Sequence, residues 1–131
     1  MSCDKAILAA LEPLEGLRTA PGPVELLREA VPPFVFFLQV YEEETDTLEG
    51  GAGLFTSEYE IHLVTALYAQ LQELAPRVRL ALRGLAGQTV AGTLVQRVTV
   101  EQASPDLRER EVGYYRRVYR ARFNYQEEDE S

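Results

Sequence analysis

TSEYEIHLVTAL, residues 56–67, decides the fold class. Successive side chains of an extended chain point to opposite faces, so Tyr59, Ile61, Leu63 and Leu67 fall on one side and Glu58, Glu60 and His62 on the other. The stretch reads as a strand with one buried face. Upstream, Phe34 to Glu43 is rich in aromatic and β-branched residues and follows the stop at Pro32 and Pro33. It predicts a second strand, buried on both faces in its first half, with Phe34, Val35, Phe36, Phe37 and Leu38 as core candidates. The two pair antiparallel across Thr45 to Gly53, a polar run whose Gly50, Gly51 and Gly53 leave the backbone free and predict a mobile loop.

Downstream, Leu71, Leu74, Val78, Leu82 and Leu85 recur at intervals of three, four, four and three, the stripe of an amphipathic helix that ends at Gly84 to Gly87. Pro76 lies inside it and removes a backbone hydrogen bond, which predicts a kink or two helical pieces, at a cost of up to about 3 kcal/mol. Thr93 to Ala103 reads as a third strand with Leu94, Val98 and Val100 on one face, and Ser104 to Glu111 as a polar turn. In the fourth and longest strand, Val112 to Gln126, Tyr115, Tyr119, Ala121, Phe123 and Tyr125 alternate with Tyr114, Arg116, Val118, Arg120, Arg122 and Asn124, giving one packed and one basic face. At the other end of the chain, Ser2 or Asp4 caps a helix that buries Ile7, Leu8, Leu11 and Leu14, limited by Pro13 and Gly16. Val24 to Val31 reads as a short helix opened by Pro23.

The expected fold is α+β: an antiparallel four-stranded sheet with helices packed on one face, in the order helix, short helix, strand, strand, helix, strand, strand. Residues 1–126 are expected to form a single domain and 127–131 an acidic disordered tail. The chain has 131 residues, 46 % hydrophobic and 26 % charged, which fits one soluble domain around one core. Its single cysteine, Cys3, has no disulfide partner and fits a reducing compartment. Ala6 to Leu11, broken by Glu12 and Pro13, is too short for a signal segment or a membrane span.

A net charge of −8 opposes any role in coating nucleic acid, because non-specific affinity comes from Lys and Arg on phosphates. The charge is uneven. Glu42, Glu43, Glu44, Asp46 and Glu49 crowd one loop, Glu127 to Glu130 form a tail, and Arg116, Arg117, Arg120 and Arg122 crowd one strand. No motif demands an enzyme or a cofactor. The glycines at 84, 87 and 92 lack the Lys-Ser/Thr of a phosphate loop, Lys5 is the sole lysine, His62 the sole imidazole, and Cys3 sits at a floppy N-terminus. Glu58, Glu60 and His62 stand about 6–7 Å apart along a strand, so they share a metal only if their side chains converge strongly. They read as a solvated or interface-facing strand edge with a neutral histidine, ahead of metal or acid–base work.

The arginine row admits a solvated face, a nucleic-acid track, or a surface that pairs with carboxylates of a neighbouring subunit. Of the last two the protein partner is favoured. Glu42, Glu43, Glu44, Asp46 and Glu49 are candidates to meet Arg116, Arg120 and Arg122 of a copy alongside, a heterologous contact that closes into a ring. Reversing Arg116 and Arg120 to Glu is then expected to weaken self-association. Tyr114, Tyr115, Tyr119 and Tyr125 fit core and interface packing better than base stacking.

Taken as a set, certain residues resemble a known family. They are a leading helix, Pro-Pro-Phe-Val at 32–35, an acidic loop, Tyr-Glu-Ile-His-Leu-Val at 59–64, Val-Arg-Leu-Ala-Leu-Arg-Gly at 78–84 and Tyr-Arg-Arg-Val-Tyr-Arg at 115–120. From about Ile7 to Tyr125 the pattern is similar to the tail-completion proteins of long-tailed bacteriophages, also called tail terminator or head–tail joining proteins. The resemblance implies an α+β subunit that assembles as a homo-oligomer, a six-membered ring, on the tail tube protein. It implies that this ring stops tube growth and offers a docking surface to a head connector or head-completion protein. DNA then passes through without specific recognition, and the protein resides at the tail end of the virion after assembly in the host cytoplasm, with no membrane contact. No catalytic residue is carried over. The alternatives are a small-molecule-binding α+β protein or enzyme with His62 as acid or base, and another phage neck or head-completion protein.

Overall fold

The computed structural model describes residues 3–14, 17–21, 31–45, 54–109 and 113–127. They form two helices, α1 (Asp4–Leu11) and α2 (Tyr68–Arg83), and seven strands: β1 (Arg18–Pro21), β2 (Phe34–Thr45), β3 (Leu54–Thr65), β4 (Thr89–Val90), β5 (Thr93–Gln102), β6 (Leu107–Glu109) and β7 (Tyr114–Glu127). One sheet runs β1-β2-β3-β7-β5-β4, and β6 pairs with β7 beyond the end of β5. β1 lies parallel to β2, and every other pairing is antiparallel.

This corrects the expected four-stranded antiparallel α+β sheet: the chain is mostly β, with a seven-stranded mixed sheet. The additional strands, β1, β4 and β6, span four, two and three residues, too few to show a period of two, and they exist because a longer neighbour offers them a ladder. β6 also moves the turn before β7 later than expected, because pairing resumes at Leu107. Most of the Val24 to Val31 helix, most of the Thr45 to Gly53 loop and the tail after Glu127 lie outside the described residues.

The four long strands fall where alternation places them, with β3 at the centre of the sheet. Ser57, Tyr59, Ile61 and Leu63 are buried on the side facing α1 and α2, together with Val35, Phe37, Ala121, Phe123 and Tyr125. Phe34, Phe36 and Val64 form a smaller cluster on the opposite face, so the start of β2 is buried on both sides. Leu67 departs from the expected face: β3 ends at Thr65, and Leu67 precedes α2 as its exposed N-cap residue.

Two bulges change which residues face inward. Gln96 is the extra residue between Val95 and Arg97, so Thr93 and Val95 share the core face with Val98 and Val100. Leu94, expected beside Val98, is turned to the other side because an inserted residue reverses the parity of everything before it. A second bulge, in β2 at Val40, separates Gln39 from Tyr41.

In α2 the leucine and valine stripe is buried as its spacing requires, through Leu71, Leu74, Val78 and Leu82. The helix is a single element through Pro76. Pro76 and Gln72, whose carbonyl loses its partner, both lie on the exposed side of the helix. In α1, Ile7 and Leu11 are buried. Its N-cap is Cys3, and Cys3 is not floppy: its side chain is buried and its N–H donates to the Tyr59 hydroxyl at 2.9 Å. No helix among the described residues is long and apolar enough to cross a membrane.

β4 and β5 are joined by Ala91 and Gly92, both left-handed, with φ of 51° and 82°. That two-residue geometry matches the twist of a hairpin, but a Cβ at the first position is strained. Ala91→Gly is therefore expected to raise stability by about 0.5–1 kcal/mol, seen as a higher denaturation midpoint with an unchanged slope.

Candidate functional site

The outer face of β3 and β7 carries most of the charge that the sequence singles out. Glu60 lies directly opposite Arg120 and Glu58 opposite Arg122, with N–O separations of 3.6 and 3.8 Å. Opposed residues of an antiparallel pair are the natural unit of sheet stabilisation. Arg120 and Arg122 remain about half exposed, so each pair contributes less than about 1 kcal/mol.

The next row is different. His62 is 6 % exposed and stacks on Phe36 with ring centroids 4.4 Å apart. Its Nε2 lies 3.2 Å from Glu60 Oε1 and its Nδ1 3.5 Å from Arg116 Nη1. A guanidinium only donates, so Nδ1 must accept; the ring proton then sits on Nε2 and is donated to Glu60. The imidazole is neutral. Burial pushes its pKa below the ordinary value, the Glu60 bond opposes this, and the Arg116 charge reinforces it. Arg116 is itself held by Glu109 at 2.7 Å and is mostly buried.

This corrects the strand-edge reading: β3 is flanked by β2 and β7, and His62 is covered, with both ring nitrogens engaged. Such a ring offers no nitrogen to a substrate. Among the described residues no group of three or more His, Cys, Asp or Glu is placed to hold a metal.

Glu42, Glu43 and Glu44 stand on β2 beyond its bulge. Glu42 accepts a hydrogen bond from the Tyr125 hydroxyl at 3.0 Å, Glu43 accepts from Tyr41 at 2.8 Å, and Glu44 is exposed. Burial raises the Tyr125 pKa. Asp46 and Glu49 lie outside the described residues. Within one chain β3 separates these glutamates from the arginine row, and the carboxylates that reach Arg116, Arg120 and Arg122 are Glu109, Glu60 and Glu58. A charge reversal at Arg116 would thus disturb the fold as well as any contact between subunits.

Two features escape sequence reasoning. Arg117 lies on the helix side of β7, where Nε and Nη2 donate to Asp106 at 2.7 and 2.8 Å. Asp106 also accepts from Tyr68 at 2.9 Å and Gln102 at 3.2 Å. Arg117 was the one basic residue sharing the parity of Tyr115 and Tyr119, which was the available signal. The second is a cleft of about 500 Å³ between α2 and the β5–β7 pair, with Arg79, Leu80 and Arg83 on its helical wall. Its signal was a pair of arginines four residues apart, opposite the apolar stripe.

No protein-family model matches the chain, and no curated protein matches it. Among solved structures it is similar to a chain described as "Virion of native gene transfer agent (GTA) particle". The TM-score is 0.58 at 18 % identity, and the match covers 94 % of this chain and 86 % of that one. The likeness is one of fold and extends over nearly the whole molecule.

Proposed function

We propose that this chain is a structural protein of a phage-like particle, and that it completes the tail by assembling on the end of the tube. The observation that carries the reading is the fold shared with a chain of a gene transfer agent virion along 94 % of the sequence. The pattern of residues from Ile7 to Tyr125 agrees with it, and so does the chemistry, since the sole imidazole is enclosed between Phe36, Glu60 and Arg116.

In this role the chain contacts further copies of itself, the tail tube protein and a head connector. A negative surface toward the channel lets DNA pass without sticking. The test is removal of the gene from the locus that encodes the particle, followed by electron microscopy of the lysate. Overlong or unjoined tails beside DNA-filled heads are expected. Tails of normal length beside empty heads would assign a head-completion role instead, and normal particles would overturn the reading.

A further inference from the structure

Arg116, Arg120 and Arg122 meet carboxylates of their own chain, whereas Arg79 and Arg83 have no ion-pair partner among the described residues. They are exposed, one helical turn apart on α2, and they flank Leu80, which is 73 % exposed. With Pro76 they form one wall of the cleft; Gln102, Arg117 and Tyr119 lie on the other, where Glu101 is the single carboxylate lining it among the described residues. A cationic rim around an uncovered apolar side chain suits a segment that carries carboxylates next to an apolar group.

β2 displays such a segment. At its bulge Val40 and Tyr41 are 43 % and 46 % exposed, and Glu42, Glu43 and Glu44 follow directly. We propose that the stretch from Val40 to Glu44 of a second copy docks in the α2 cleft, its apolar pair against Leu80 and Pro76 and Glu43, on the same face of β2 as Tyr41, against Arg79 and Arg83, while Glu44 on the opposite face adds to the negative charge of the segment. β3 and β7 lie between β2 and the β5 side of the cleft, so these two strands are about 14 Å apart across a continuous sheet, with the arginines on the helix beyond. One chain cannot close on itself in this way. Each copy offers both halves, so the contact runs head to tail and propagates from copy to copy. This deepens the structural-subunit reading by naming the contact through which copies meet, and it rests on that reading only for the ring.

Two variants test it, R79E/R83E and E43R/E44R, each checked for native far-ultraviolet circular dichroism and followed by sedimentation at up to about 1 mM protein in about 10 mM salt, where charges are weakly screened. The wild type is expected to self-associate, and each variant to do so at least about tenfold more weakly. The first makes the net charge more negative and the second less negative, so loss in both is not a general repulsion effect. An equimolar mixture of the two variants is expected to associate where neither does alone, because every mixed contact again joins opposite charges.

A wild type that stays monomeric throughout, or a mixture without rescue, overturns the proposal. Association unaffected by either reversal overturns this contact and leaves the virion role to be judged by particle morphology. Binding of a 30-base-pair DNA duplex that R79E/R83E alone abolishes, with self-association intact, would assign the arginines to phosphates and overturn it too.

Discussion

Tyr59→Ala is expected to lower stability by about 3–5 kcal/mol, and Tyr59→Phe by about 1–3 kcal/mol. The side chain is fully buried at the centre of β3, packed edge-on against Phe37 and Phe123 at 6.0 and 5.7 Å between centroids. Removing the ring leaves a cavity lined by those neighbours. The hydroxyl adds a second function: it accepts the Cys3 N–H at 2.9 Å and donates to Asp4 Oδ1 at 2.7 Å. α1 has no side-chain cap bond of its own, and this phenol instead ties its N-cap residue, through the Cys3 N–H, and its first residue, through the Asp4 carboxylate, to the centre of β3. The Phe variant keeps the packing and removes those bonds. Urea denaturation gives the two losses, and the labelling rate of the Cys3 thiol, buried in the native protein, gives a local readout. The Phe variant should label faster. A Phe variant with wild-type stability and labelling would mean that Ile7 and Leu11 alone dock the helix.

The contrast between α2 and β1 explains how much was legible in the sequence. α2 is long enough for five apolar residues to repeat on one face, and the same holds for the alternation in β3 and β7. β1 is four residues ending in Pro21, and β4 is two; each is specified by the strand beside it and by nothing periodic of its own. The parity of β5 departs from simple alternation for a related reason: the bulge at Gln96 is set by its pairing with β7, and no residue type there announces it.

At the charged face, alternation along each strand assigns the faces and leaves the partners open. Alternation put Glu58, Glu60 and His62 on one face of β3 and Arg116, Arg120 and Arg122 on one face of β7. It could not show that β3 and β7 are adjacent, which turns two charged faces into a set of cross-strand pairs. For the same reason His62 looked exposed. Phe36 covers it, and Phe36 is on a strand 26 positions earlier. The cleft at Arg79 and Arg83 needs the docking of α2 on β5 and β7, again a tertiary fact.

Asp106→Ala is expected to cost roughly 2–4 kcal/mol near neutral pH, because this one carboxylate binds three side chains at once. It receives two bonds from Arg117, which is 16 % exposed, and others from Tyr68 at the start of α2 and Gln102 at the end of β5. Its loss leaves a mostly buried guanidinium without a counterion. The Arg117 bonds, with those from Tyr68 and Gln102, hold the folded pKa of Asp106 below its ordinary 3.8. The stability it contributes is therefore complete above pH 3.8 and disappears as pH falls through the lower folded value.

His62 acts in a higher window. Its folded pKa lies below the ordinary 6.5, so the unfolded chain takes up a proton first and stability falls as pH drops from 6.5 toward the folded value. Urea titrations from about pH 8 to about pH 3 should show two separable slopes. His62→Gln is expected to flatten the upper one, and the gap between wild type and Asp106→Ala to narrow only in the lower. A gap that stays constant through the acid range would mean that Asp106 acts by packing alone, and a slope just below pH 6.5 that survives His62→Gln would have to arise from a group other than the enclosed imidazole.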